Sequence, residues 1–429
     1  HTDGRYYKEK IMTSKALFTK DFTLVVIGQV ISLFGNAILR FALPLYLLRE
    51  TNSAALFGLV SACSFLPMVV LSFLGGILAD RANKRNIMVA LDFLTAGIIT
   101  ALSFSLEKLP LVPLLIVALM LLYGISGTYQ PTVQASIPAL VTQENILPAG
   151  AVVNQIGALA GLLGPIIGGM LFGAFGIAPI LALSIVCFFA SAVMELFITI
   201  PFIKRKSDSG IFKIVKNDVR DSVHYLKTEK PMLMQIIALV ALFNLVLSAM
   251  LTVGTPVLMV NILQRSDAAL GFSQGMMALG GLCGGICTAL FSKKLRLAKS
   301  HLLLLSCSAC VAAMAAPLLL GAQPWVSYLV VTAACFLIMA LATVFSVQML
   351  ATVQTQTPPE LVGKVIALMM SLSLCAQPVG QAIYGLLFEK FAGHIGVLLL
   401  CVAALSAFIS PALKKIVGSV QGDRDTCGS

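Results

Sequence analysis

Three ionisable side chains lie inside long apolar runs of the sequence: Arg40, Asp92 and Glu195. Charge is costly at bilayer depth, so such residues either do a job or find a partner. A carboxyl group held in low dielectric is able to load a proton from one side and release it to the other. Asp92 and Glu195 are therefore the proton-coupling candidates. By the helical rise, Asp92 stands about 10 Å beyond Arg85, so pairing with the basic residues there is its structural alternative. Glu195, nine residues before Lys204, has the same alternative. Arg40, about 13 Å short of Arg49 by that rise, either snorkels to the membrane surface or faces a central cavity. Neutral amides near the middle of the runs are Gln29, Asn36, Asn154, Gln155, Asn244, Gln377 and Gln381. They are candidates for hydrogen-bonding a large amphipathic ligand, or for binding one helix to another. Gln377 and Gln381 are four apart and share a helix face. A cavity with few charges, scattered amides and many Met and Phe suits a lipophilic, adaptable ligand set.

Other chemistries find no residues to perform them. There is no G-x-x-x-x-G-K-[ST] run and no H-E-x-x-H, so neither a P-loop nor a helix-borne zinc site is present, and no enzyme is expected. Cys283–Cys287 and Cys307–Cys310 have metal-like spacing, yet zinc needs four ligands and the sequence has only four histidines, none near them except His301. These thiols read as helix-packing groups. No metal and no cofactor is expected, with a proton gradient as the energy source.

The elements that must position these residues follow from composition. Of 429 residues 59% are hydrophobic and 11% charged, against about 45–50% and about 25% in a soluble domain. At ~20 residues per bilayer crossing that is material for about a dozen helices. Twelve runs stand out, at about 22–48, 54–79, 87–106, 111–133, 148–172, 177–202, 232–258, 268–291, 299–320, 325–352, 361–388 and 393–416. They are too long, and too free of alternation, for barrel strands. The expected fold is all-α, twelve transmembrane helices in two six-helix bundles at 22–202 and 232–416, with tails at 1–21 and 417–429. Residues 203–231 form a polar linker with eight basic residues, whose middle, from Ile211 to Leu226, reads as an amphipathic helix lying on the membrane face. The polar, basic start of the chain argues against a cleavable leader.

The net charge of +11 belongs to loops rather than to a nucleic-acid surface. With the N-terminus inside, 24 Lys and Arg fall on the cytoplasmic side and four outside, which places both termini in the cytoplasm. The halves also repeat. Gly164-Pro165 meets Gln377-Pro378 at an offset of 213, and Gly75-Gly76 meets Gly284-Gly285 at an offset of 209. Two repeated halves with a central loop are the arrangement of a rocking transporter. That repeat and the lack of a charged ring disfavour a channel.

The loop after the second run, Gly76-x3-Asp80-Arg81-x2-Lys84-Arg85, resembles the G-x-x-x-D-[RK]-x-G-[RK]-[RK] signature of the major facilitator superfamily. In the fifth run, Gly164-Pro165-x2-Gly168-Gly169 resembles the superfamily's antiporter motif. The nearest likeness is to bacterial drug:proton antiporters of the macrolide-efflux type. It rests on the opening Phe22–Arg49, the loop motif and Pro131-x6-Pro138. The resemblance implies a gating loop of Gly76, Asp80, Arg81, Lys84 and Arg85, with Asp80 at the start of the eleventh helix, where the backbone dipole favours an anion. Asn83 stands where relatives carry glycine, a replacement that is tolerable because Asn accepts a left-handed backbone better than most residues. Ala289 stands where the repeat wants a second acid, so the latch is one-sided. Many relatives have an arginine in the fourth helix, where this chain reads Leu121-Leu122-Tyr123-Gly124. The resemblance implies a monomeric exporter in the bacterial inner membrane, moving lipophilic small molecules by alternating access. A siderophore or lipid-like metabolite is the alternative cargo, and a non-transporting receptor or scaffold the alternative class.

Overall fold

The structure, a computed structural model, describes residues 17–200, 211–291 and 297–427; side chains at 73–74, 76–81, 211–218, 298, 360 and 417–427 are outside the description. The chain runs through α1 (Lys20–Thr51), α2 (Ala54–Arg81), α3 (Lys84–Ser105), α4 (Leu111–Leu140), α5 (Ile146–Phe175) and α6 (Ile177–Leu196). It continues as α7 (Ile211–Thr228), α8 (Pro231–Ile262), α9 (Asp267–Phe291), α10 (Ser300–Leu319), α11 (Pro324–Gln356), α12 (Pro359–Lys390) and α13 (Ile395–Cys427). All but α7 hold a stretch long and apolar enough to cross a membrane, twelve spans in all. Apolar side chains also cover the outside: Phe104, Leu320 and Phe408 are 72%, 82% and 82% exposed. Water would not tolerate so many; lipid tails do. The expected all-α, twelve-span fold is the observed one.

Local chemistry sets the helix ends. Thr19 caps α1 by accepting from the Phe22 amide at 3.3 Å. Between α5 and α6 there is one residue, Gly176, at φ 74°, a left-handed backbone that glycine adopts without penalty. Several helices outrun their apolar cores. The fourth run, expected to end near 133, continues to Leu140. It can do so because its polar residues are satisfied locally, Ser136 Oγ donating to the Val133 carbonyl at 2.7 Å and Gln134 to Asn154 at 3.1 Å. The sixth stops at Leu196, short of the expected 202. α8 holds two π-helical stretches, Asn244–Ser248 and Leu258–Ile262, which no composition signal announces.

Among the described residues the chain forms two compact units. The first gathers 17–52, 63–200 and 266–275; the second gathers 53–62, 211–265, 276–291 and 297–427. In the first, Phe22, Met88, Val133, Leu140, Val153 and Ile198 pack one end of the core. At the other end Arg49 Nη2 of α1 reaches Asp267 Oδ1 of α9 at 2.8 Å. In the second, the Glu389 carboxylate of α12 accepts from the Ser53 hydroxyl and from the Ala55 amide, the latter at 2.8 Å, capping the start of α2.

The linker helix, expected on the membrane face, packs its second half on protein, its side chains at 211–218 lying outside the description. Tyr225 and Leu226 are buried by protein, within the second unit. The Tyr225 hydroxyl donates to the Gln356 carbonyl at 3.5 Å, and Lys364 Nζ of α12 meets Asp221 Oδ2 at 3.0 Å. Burial and the Glu229 carboxylate push the Tyr225 phenol up from its ordinary value, so it stays a donor. The second half of α7 thus docks on the ends of α11 and α12, while Val219 stays exposed.

Candidate functional site

The first unit encloses a cavity of about 570 Å³. α1 contributes Asn36 and Arg40, α5 contributes Asn154, and α4 and α9 add Gln130 and Gln274. Leu33, Phe41, Met68 and Val153 supply apolar wall. Glycine makes the room: a Cβ on Gly157 or Gly161 would meet nothing within 4 Å, and both line the space. Of the ligand-cavity candidates, the structure brings Asn36, Arg40 and Asn154 to this cavity. Gln155 is exposed outside its lining. Asn244 turns its amide onto its own helix, donating to the Val240 carbonyl at 3.0 Å. Gln377 and Gln381 lie on α12 in the second unit, where Gln381 is fully buried with no partner among the described residues for either amide atom.

Arg40 faces the cavity and does not snorkel. Its guanidinium carbon sits 3.9 Å from the centroid of the Tyr123 ring, a cation–π contact. Tyr123 belongs to the Leu121–Gly124 stretch where the resemblance expects an arginine, so the cation arrives from α1 instead of α4.

One helix turn along α1 lies a second polar group. Gln29 Nε2 donates to the Tyr129 hydroxyl at 2.8 Å, and that hydroxyl donates to Glu195 Oε1 at 2.7 Å. Ser32 Oγ donates to Asp92 Oδ1 at 3.3 Å, with the Ser191 hydroxyl also in reach of the carboxyl. All six side chains are buried. Among the described residues neither carboxyl meets a cation: Arg85, one of the expected partners of Asp92, instead donates to the Ile198 carbonyl at 3.4 Å. Asp92 Oδ2, Glu195 Oε2 and Gln29 Oε1 have no partner among the described residues, which in a dry interior is costly. The two acids therefore share one cluster and the electrostatic field of one another. Sequence reasoning missed Tyr129, Ser32 and Ser191; the spacing of Gln29, Ser32, Asn36 and Arg40 at three and four residues was the available signal. The same α1 face thus carries cluster and cavity.

The fifth-helix motif serves packing on two sides. Gly164 and Gly168 let α5 approach Ala37 and Phe41 of α1, while Gly169 abuts the backbone of α9 at Asp267. Pro165 lines the cavity. Of the loop motif, Gly76, Asp80 and Arg81 lie outside the residues whose side chains are described, while Lys84 is half-buried in the first turn of α3. Asn83 corrects an expectation: its φ is −67°, extended and not left-handed, and its side chain accepts from the Arg85 amide at 3.0 Å. It is the N-cap of α3, a role asparagine fills better than glycine. Asn83→Ala is expected to cost about 1 kcal/mol, read as a lower melting temperature; Asn83→Asp should hold it.

Comparison with known proteins agrees with this architecture. The sequence model of the Major Facilitator Superfamily matches residues 25–380. Macrolide efflux protein A of Streptococcus pyogenes is 22% identical over 408 residues, spanning 92% of this chain and 96% of that one. The enterobactin exporter EntS of Escherichia coli is 27% identical over 385 residues, 85% of this chain and 84% of that one. In fold, a bacterial homologue of the iron transporter ferroportin superposes with TM-score 0.70 at 16% identity, covering 92% of this chain and 98% of its own. The nucleoside transporter NupG gives 0.72 at 11%, covering 93% and 99%.

Proposed function

The chain belongs to the Major Facilitator Superfamily, and from that premise we propose that it exports lipophilic or amphipathic small molecules by alternating access, driven by proton antiport. The cargo sits in the first-unit cavity, and the proton is exchanged at Asp92 and Glu195. One observation carries this reading: α1 places Gln29 and Ser32 in the buried carboxyl cluster and, one turn on, Asn36 and Arg40 in the cavity. A rotation or shift of α1 that admits cargo must therefore move Ser32, the partner of Asp92, and Gln29, which holds the Tyr129 hydroxyl that is bonded to Glu195. No cofactor is needed, since the gradient supplies the energy. The basic bias of the loops, 24 residues against four, supports cytoplasmic termini in a bacterial inner membrane. Siderophore export is the second reading, favoured by likeness to the enterobactin exporter over 385 residues.

The experiment is substrate-driven proton release from purified, weakly buffered protein. Release close to one proton per ligand is expected for the wild type. Neutralising the pair, Asp92→Asn with Glu195→Gln, should abolish it while ligand still binds. Undiminished release from the double variant would place the proton elsewhere.

A further inference from the structure

We infer that the cavity of the first unit is built for an anionic amphipath, whose acidic group is held by Arg40. The inference rests on reading that cavity as the cargo site and goes on to name the charge of the cargo. Among the described residues Arg40 is the one charged residue in the lining, and no carboxylate of theirs shares the cavity with it. Its face rests on the Tyr123 ring, which leaves the in-plane N–H groups at the guanidinium edge to donate. The two buried acids of the neighbouring cluster are committed elsewhere, Asp92 to Ser32 and Glu195 to Tyr129. The guanidinium is half-buried and, set at membrane depth among apolar and amide groups, has no carboxylate among the described lining residues to pair it. A carboxylate or similar acid on the ligand supplies that pairing in bidentate geometry. A cationic ligand would bring a like charge into the same low-dielectric space, at a cost. The amides of Asn36, Gln130, Asn154 and Gln274 serve neutral polar groups of the ligand, and Leu33, Phe41 and Met68 take its apolar body.

Three fluorescent probes of similar bulk and different charge test this: dansyl-phenylalanine, an acid; its primary amide, neutral; and dansylcadaverine, a cation. Binding is read by dansyl fluorescence with the protein in nanodiscs of zwitterionic lipid. The acid is expected to bind about tenfold tighter than the amide, the yield of one charge-assisted contact, with the amine weakest. Arg40→Gln should bring acid and amide within about twofold, whereas Arg40→Lys, which keeps the charge, should retain the order and guards against a folding artefact. Competition by anionic phospholipid added to the nanodisc would identify the occupant as a membrane lipid; its absence would identify a soluble acid. An unchanged acid-to-amide ratio in Arg40→Gln, or a cation that binds as well as the acid, overturns the inference. Gly161→Trp separates the two levels, since a Cβ there enters open space and the indole fills the cavity. If it blocks all probes while charge has no effect, only the anion assignment fails; if it blocks none, the cavity reading fails and this inference with it.

Discussion

Tyr129→Phe should lower the stability of the folded protein by about 2–4 kcal/mol, although it removes a single oxygen. The ring stays and no void opens, so none of the loss is packing. The hydroxyl lies between Gln29 Nε2 at 2.8 Å and Glu195 Oε1 at 2.7 Å, with Tyr129 only 5% exposed. Without it both groups are stranded, and each buried polar group left without a partner costs about 1–3 kcal/mol. No relief is at hand, since Gln29 Oε1 and Glu195 Oε2 already lack partners. Glu195→Gln makes the contrast. The amide keeps a carbonyl oxygen to accept from Tyr129, so the cost in stability should stay under about 1 kcal/mol, while the protonatable group is gone. Thermal unfolding in detergent ranks the two: Tyr129→Phe well below Glu195→Gln and the wild type. If Tyr129→Phe melts with the wild type, the hydroxyl does not bridge the two chains of contacts, and the coupled cluster dissolves as an idea.

What the residues alone could say about this site divides along physical lines. Arg40, Asp92 and Glu195 were visible because charge inside an apolar run has no bland explanation except a partner, and Asn36 and Asn154 were visible for the milder form of that reason. Tyr129 was not, because an aromatic residue in a membrane span reads as packing until a partner for its hydroxyl is seen. Ser32 and Ser191 were hidden likewise, since hydroxyls in helices ordinarily bond their own backbone, as Thr132 does to the Thr128 carbonyl at 2.8 Å. The twelve spans were legible because bilayer thickness imposes the length of each apolar run. Their ends were less so: polar residues such as Ser136 look like loop until the helix satisfies them. Asn83 shows a limit of motif matching. Relatives' glycine suggested a left-handed turn, but the residue before a helix that opens Lys84-Arg85 meets a different demand, for a cap. Arg40 and Tyr123 show another, since the sequence registers that α4 lacks an arginine without revealing that α1 delivers one to the same ring.

The second large effect concerns glycines whose absence of a side chain brings helix backbones into contact. In the second unit a Cβ on Gly58 of α2 would sit 2.6 Å from the Gln381 carbonyl oxygen and 2.7 Å from the Gly385 Cα of α12, while a Cβ on Gly385 would sit 2.8 Å from the Ala54 carbonyl oxygen and 2.9 Å from the Gly58 Cα. Both obstacles are backbone, which cannot rotate aside as a side chain can. In the first unit Gly169 of α5 and Gly271 of α9 abut one another in the same way. α2 corresponds to α9 and α5 to α12 under the internal repeat, so the sequence duplication reappears as a duplicated glycine contact. Gly58→Val must push α2 and α12 apart along that stretch, which strips van der Waals contact from lipid-excluded surfaces where close approach is the main source of adhesion. A loss of about 3 kcal/mol is expected, at the upper end of overpacking costs, and Gly385→Val should match it. The double variant should cost much less than the sum of the two, because one separation accommodates both side chains and residues in direct contact do not add. Melting temperatures of the four proteins test this cycle. Additive losses would mean that the two glycines pack against different neighbours, and the close crossing of α2 and α12 would then be wrong.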